Sequence, residues 1–191
     1  MAASNVVKLD LNRPLGEDAE LSYTLPSRAY TDPAIWEQEK ERIFYRSWIY
    51  ACHAHQVAEP GDYATTTVAD QGVAVVRGRD GQLRAFYNVC QHRAHELLKG
   101  AGNLKAVITC PYHAWAYGLD GTLRTARNCE AVKGFDKADF TLPQVRVETF
   151  CNLVFVNLDM DAVPLAEQAP NLEAEIRAVV PHWDEVAFTN A

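Results

Sequence analysis

Positive charge is scarce in this chain: 18 Lys and Arg face 25 Asp and Glu, a formal net charge of −7 at pH 7 over 191 residues. A nucleic-acid backbone needs clustered cations to displace its counterions, so nucleic-acid binding is excluded, and a polybasic membrane patch with it. No apolar run approaches the roughly 20 residues that span a bilayer. The opening stretch MAASNVVKLDLNRP lacks a basic segment followed by an apolar block, so export is not expected and a reducing, cytoplasmic compartment is. The five cysteines, at 52, 90, 110, 129 and 151, are an odd number in such a compartment and do not read as a disulfide framework. Low-complexity tracts and internal repeats are absent on this reading. What remains, 48% hydrophobic and 23% charged residues, is globular composition, enough for one sizeable domain with extensions.

Residues 1–30, punctuated by Pro14, Gly16 and Pro26, read as an extended arm. Asp32 before Pro33 fits a helix cap with proline in the first turn, and Trp36, Ile43, Phe44 and Trp48 recur at helical spacing, which predicts a helix over about 33–46 within a segment 31–47. From 48 to 160 the period changes to two. Asp80-Gly81 and Asp120-Gly121 each sit between short apolar runs, the pattern of a tight hairpin. Two more strands are expected at 145–150 and 153–158, broken near Cys151-Asn152. The fold class is therefore mainly β, an antiparallel sandwich or barrel of seven or more short strands. After Pro164 a helical pattern returns, interrupted by Pro170 and Pro181, so 161–191 reads as a connection to something further on.

Two segments carry the chemistry: Cys90-Gln91-His92 and Cys110-Pro111-Tyr112-His113, separated by seventeen residues. Each offers one thiolate and one imidazole. Two cysteines and two histidines suit tetrahedral zinc. Zinc modules usually place both cysteines before both histidines, whereas here each pair is mixed. Two β-loops that each present one sulfur and one nitrogen suit a two-iron, two-sulfur centre with two Cys on one iron and two His on the other.

The loops CQHRAHELL and CPYHAWAYGLDG resemble those of the Rieske proteins, and more narrowly the Rieske non-haem iron oxygenases. The likeness extends over about 26–160, including SWIYACHAHQV and NLVFVNLD. It implies a Rieske-type antiparallel β-sandwich or barrel, preceded by a helix, with a [2Fe-2S] cluster held by Cys90 and Cys110 on one iron and His92 and His113 on the other. Respiratory members clamp the loops with a disulfide, for which the matching positions here are His95 and Tyr112, so no bridge can form. Those members also have a serine where this chain has Trp115. Losing that hydroxyl implies a potential near the lower end of the roughly −150 to +300 mV Rieske range. Ala94 and Ala114 stand where aromatic-ring hydroxylases usually have glycine. With ITCPYHAWAYGLDGTLRTARNCE, this looks most like the branch acting on quaternary ammonium compounds such as carnitine, stachydrine and glycine betaine.

The resemblance implies an oxygenase component. It would take electrons from an NAD(P)H-dependent reductase or a ferredoxin and pass them to a mononuclear Fe(II) for O2-dependent hydroxylation or demethylation of a small organic substrate. The complete protein would be a homotrimer, with His113 as the electron exit toward a neighbour's iron. The mononuclear iron needs two histidines and a carboxylate. Beyond His113 there is only His182, so no catalytic residue is expected here and the chain reads as the N-terminal part of a larger oxygenase. The alternative is a free-standing Rieske ferredoxin, for which the N-terminal helix and helical tail are surplus. Elsewhere the expectations are structural. His53 and His55 alternate on a strand with Cys52 on its other face, and His95 lies at the surface or behind the ligands. Cys129 and Cys151 read as small buried hydrophobes. Tyr112, Trp115 and Tyr117 shield the cluster, with Tyr117 a candidate donor to a ligand sulfur. Arg93, Lys99, Lys105, Arg124 and Arg127 read as a solvated face.

Overall fold

The computed structural model describes residues 25, 27–129 and 131–186; most of the expected N-terminal arm lies outside them. Helix α1 (Arg28–Thr31) precedes α2 (Pro33–Arg42), which Asp32 caps by accepting the Ala34 N–H at 2.9 Å. The helix expected to reach 46 ends at Arg42 and tightens into a 3-10 turn at Phe44–Arg46. That stretch is held to the sheet instead, Tyr45 donating to Asp70 and Asn157 to the Arg46 carbonyl. Buried Lys40 reaches the same Asp70 at 2.8 Å.

Ten antiparallel strands follow: β1 (Ile49–His53), β2 (Asp62–Val68), β3 (Gln71–Arg77), β4 (Leu83–Tyr87), β5 (Ala101–Asn103), β6 (Val107–Thr109), β7 (Ala116–Gly118), β8 (Leu123–Thr125), β9 (Gln144–Phe150) and β10 (Leu153–Asn157). Seven form one sheet in the order β1-β10-β9-β4-β3-β2-β5, and β6-β7-β8 form a second. This is the mainly β, antiparallel architecture that the sequence predicts. The continuous run Val73-Ala74-Val75-Val76 has a direct cause. Successive side chains of a strand face opposite ways; Val73 and Val75 enter a core shared with β1, β2, β9 and β10, while Ala74 and Val76 enter a second core shared with the small sheet. β3 is thus buried on both faces, and the large sheet curls enough to enclose the first core by itself.

Both Asp-Gly hairpins form, and they are copies of one another. Gly78-Arg79-Asp80-Gly81-Gln82-Leu83-Arg84 and Gly118-Leu119-Asp120-Gly121-Thr122-Leu123-Arg124 repeat the pattern Gly-x-Asp-Gly-x-Leu-Arg, which the reading of the sequence as repeat-free missed. In each, the first glycine and the residue four later close the turn, the aspartate accepts from the backbone two residues on, and the arginine returns to that aspartate. Arg124, expected on a solvated face, is exposed there and pairs with Asp120 at 2.7 Å. At the β9–β10 turn Cys151 and Asn152 both have positive φ, +49° and +58°, the geometry of a two-residue type I′ hairpin.

After β10 the chain is laced to the sheet. Trp48 donates its indole N–H to the Val163 carbonyl at 2.9 Å, Arg146 lies over the Trp48 ring and bonds the Ala162 carbonyl, and Glu148 accepts from the Leu165 N–H at 2.8 Å. Short helices α3 (Leu165–Gln168) and α4 (Leu172–Val179) follow, and Trp183 donates to the Cys151 carbonyl at 2.7 Å. Among the described residues no helix is long and apolar enough to cross a membrane.

Candidate metal centre

Two loops at one end of the second core have the same backbone shape. In the first, between β4 and β5, the Cys90 N–H donates to His95 O at 2.8 Å and the Ala94 N–H to Cys90 O at 2.9 Å; in the second, between β6 and β7, Cys110 donates to Trp115 O at 2.8 Å and Ala114 to Cys110 O at 3.0 Å. Each closes through an alanine in the left-handed region, φ +54° at Ala94 and +58° at Ala114. Glycine takes that conformation without strain, whereas a Cβ costs about 1 kcal/mol. Behind the first loop, buried Asn88 grips Leu98 from both sides, donating to its carbonyl at 2.7 Å and accepting its N–H at 2.9 Å.

Equivalent loop shapes explain the unequal motif spacing. Cys90 and Cys110 occupy the same first position, but the imidazole sits third in one loop and fourth in the other, which lets two rings converge from opposite sides. The His92 and His113 ring centroids lie 4.8 Å apart at 71°. Both thiols are 2% exposed. Burial pushes the Cys90 thiol up, and the neighbouring Cys110 adds to this, while Tyr117 opposes it. His92 is lowered by burial and by the charges of His113 and Arg93. Metal coordination reverses both penalties, because it requires the thiolate and the neutral imidazole.

The His113 Nδ1 atom is buried and has no hydrogen-bond partner among the described residues, the condition of a nitrogen waiting for a metal. No three His, Cys, Asp or Glu side chains among those residues converge where one ion could sit. The donors come as a thiol pair, Cys90 beside Cys110, and an imidazole pair, His92 beside His113, the set that a two-iron centre with one pair on each iron would take.

Around the pairs, fully buried Tyr117 accepts the Gln91 N–H at 3.0 Å, which leaves its own hydroxyl proton for Cys90 Sγ at 3.3 Å. Trp115, 2% exposed, lies flat on His92 at 4.8 Å and 10°; sequence reasoning cast it as general shielding and missed this stacking. Tyr112 is 57% exposed and covers His113 at 3.7 Å. His95 is exposed, its ring 5.6 Å from Tyr112 and its Nδ1 on the Glu96 carbonyl.

Of the other candidates, Cys52, His53, His55 and Cys151 lie in the large sheet or at its turns, whereas Cys129 follows β8 and packs against the second core. β1 ends at His53, so His55 falls on a 3-10 turn and the expected alternation does not form; the two rings meet edge to face at 4.7 Å. A register irregularity between Tyr50 and Cys52 leaves Cys52 and His53 both buried, and burial holds the Cys52 thiol up at about 11. Cys129 and Cys151, expected buried, are only partly so because both sit in turns.

Residues 47–136 match the family described as the Rieske [2Fe-2S] domain. The carnitine monooxygenase oxygenase subunit of Escherichia coli (strain K12) is 48% identical over 160 residues, covering 84% of this chain and 43% of that protein. Among solved structures, the quaternary ammonium Rieske monooxygenase CntA bound to its substrate L-carnitine is similar with a TM-score of 0.78 and 44% identity, over 82% of this chain and 45% of that one. A further structure of such a monooxygenase, described for carnitine oxidation by gut microbiota and inter-subunit electron transfer, matches at TM-score 0.78 over 82% of this chain and 43% of the other. The chain thus spans less than half the length of the relatives it matches.

Proposed function

Residues 47–136 belong to the Rieske [2Fe-2S] domain family, and from that premise we propose that the chain is the electron-entry portion of an oxygenase component. Such a domain holds a [2Fe-2S] cluster that supplies one-electron redox chemistry. Cys90 and Cys110 are the ligands of one iron, His92 and His113 those of the other. The observation that carries the assignment is the pair of same-shaped loops with paired thiols, paired imidazoles and an orphaned His113 Nδ1. His113 binds through Nδ1, which leaves Nε2 as the outer nitrogen. That nitrogen donates to a carboxylate on the catalytic domain of a second copy, and a homotrimer places the two metal centres side by side. The relatives support a small quaternary amine, such as carnitine, as substrate of the whole protein, with an NAD(P)H-dependent reductase or ferredoxin as donor and the cytoplasm as compartment. A free-standing carrier would not need the α2 helix or the laced tail.

Anaerobic reductase and NAD(P)H should bleach the visible absorption of the purified chain and produce a rhombic paramagnetic signal. The complete oxygenase should consume O2 with a quaternary amine, and residues 1–191 alone should form no product. A colourless, zinc-loaded protein would refute the cluster, and product from this chain alone would refute the division of labour. A subtler expectation concerns Tyr117. Reduction adds negative charge to the sulfurs, so a hydroxyl donating to Cys90 stabilises the reduced state. Tyr117→Phe should keep the cluster and lower the reduction equilibrium about tenfold, or 59 mV for one electron; a redox titration showing no shift contradicts this.

A further inference from the structure

Only two buried side-chain nitrogen or oxygen atoms among the described residues lack a hydrogen-bond partner, and both belong to the second loop: His113 Nδ1 and Trp115 Nε1. Buried polar groups are paired in the great majority of cases, and leaving one unpaired costs about 1–3 kcal/mol. The ligand assignment accounts for His113. Nothing in it accounts for Trp115.

An indole N–H can only donate. The ring that carries it lies flat on His92 at 4.8 Å. Its other neighbours are the rings of Phe135, 5.9 Å away at 76°, and Phe140, 5.5 Å away at 86°. Around these, the shared core contains Ile108, Leu119, Leu123 and Leu142 beside Cys90 and Cys110. The wall is apolar, and the sulfur and oxygen side-chain atoms packed into it are those of the ligand cysteines, Tyr117, Cys129 and Tyr63, none of which bonds the indole N–H. The missing acceptor is thus one that arrives with whatever the two loops bind.

Resting on the ligand reading above, we propose that the Trp115 indole N–H donates a hydrogen bond to a sulfur of the bound cluster, and that Trp115 thereby sets the reduction potential while its stacked ring fixes the plane of His92. No bond is made or broken. The sulfurs become more negative when the cluster accepts an electron, so a fixed donor favours the reduced form more than the oxidised one. Residue 115 is a positioning and tuning residue, not a catalytic one.

The test is a redox titration of the iron-loaded chain and of Trp115→Phe, which keeps a ring on His92 and removes the N–H. It is paired with electron–nuclear double resonance on the reduced wild-type protein labelled with 15N in the tryptophan indole. The reduction equilibrium of the variant should fall about tenfold, 59 mV for one electron. The wild-type protein should show a 15N coupling and an exchangeable proton that the variant lacks. If the variant does not retain iron, the labelled wild-type protein decides alone. An unchanged potential, or the absence of 15N coupling, overturns the proposal and assigns the N–H to the ring faces of Phe135 or Phe140. A wild-type protein without a rhombic signal would instead mean that the ligand reading itself has failed, an outcome separate from the previous one.

Discussion

His113→Ala is expected to abolish the rhombic signal of the reduced protein and to release iron during purification. The His113 Nδ1 is buried and without a partner, so the imidazole has no structural bond that would explain its placement, and alanine offers no replacement donor. His92, the other nitrogen donor, cannot compensate, because its ring is pinned between His113 at 4.8 Å and Trp115 at 4.8 Å. Cys110→Ser should have an equal effect on the sulfur side. Metal binding is coupled to folding where the ligands come from separate loops, so both variants should also melt at lower temperature than the iron-loaded wild type. His95→Ala is the control. His95 is exposed and its Nδ1 is taken by the Glu96 carbonyl, so iron content and signal should persist. A His113→Ala protein with full iron and an unchanged signal would disprove the ligand set.

What the sequence disclosed, it disclosed through local rules. Asp80-Gly81 and Asp120-Gly121 announce tight turns because glycine tolerates positive φ, +76° and +85° here. Cys-x-His and Cys-x2-His announce a metal because thiol and imidazole rarely recur together by chance. Asp32-Pro33 announces a helix start, and the cap bond is present. What stayed hidden depends on partners far away in the chain. The early end of α2 follows from Tyr45 meeting Asp70, 25 residues on, and no helical periodicity contains that contact. His55 escapes the expected alternation because β1 ends at His53, and one register irregularity within β1 buries Cys52 and His53 together. The lacing of the tail rests on Trp48 and Arg146, which are 98 residues apart in the sequence and whose side chains meet at 5.4 Å. Ala94 and Ala114 looked like departures from a glycine pattern; the structure shows the same left-handed turn, adopted with a methyl group present. The duplicated Gly-x-Asp-Gly-x-Leu-Arg segment is legible in the sequence, but two short copies in different sheets do not make a repeat architecture.

That duplication supplies a matched pair of substitutions, and the second large effect is expected at one of them. Gly81 and Gly121 hold the same place in the same turn, both with positive φ, so alanine should cost each about 1 kcal/mol of backbone strain. Their surroundings differ. A Cβ on Gly81 would meet nothing within 4 Å, whereas one on Gly121 would lie 2.5 Å from Cε1 and 3.0 Å from Cζ of Phe86. Phe86 is 1% exposed on β4 and cannot swing aside, because it fills the core between the two sheets. Overpacking of this kind costs about 1–3 kcal/mol, so Gly121→Ala should destabilise the chain by about 2–4 kcal/mol and Gly81→Ala by about 1. Removing the ring from the other side, Phe86→Ala, should cost about 3–5 kcal/mol, a large share of the 5–15 kcal/mol typical of a domain. The effect should reach the metal as well. β4 leads into the first loop and the β7–β8 hairpin leads out of the second, so the Phe86–Gly121 contact sets the spacing between the two loops. Gly121→Ala should therefore lose iron to a chelator faster than Gly81→Ala, in proportion to its greater loss of stability in urea. Equal urea midpoints for the two alanine variants would show that turn strain, and not the packing of one sheet against the other, governs this junction.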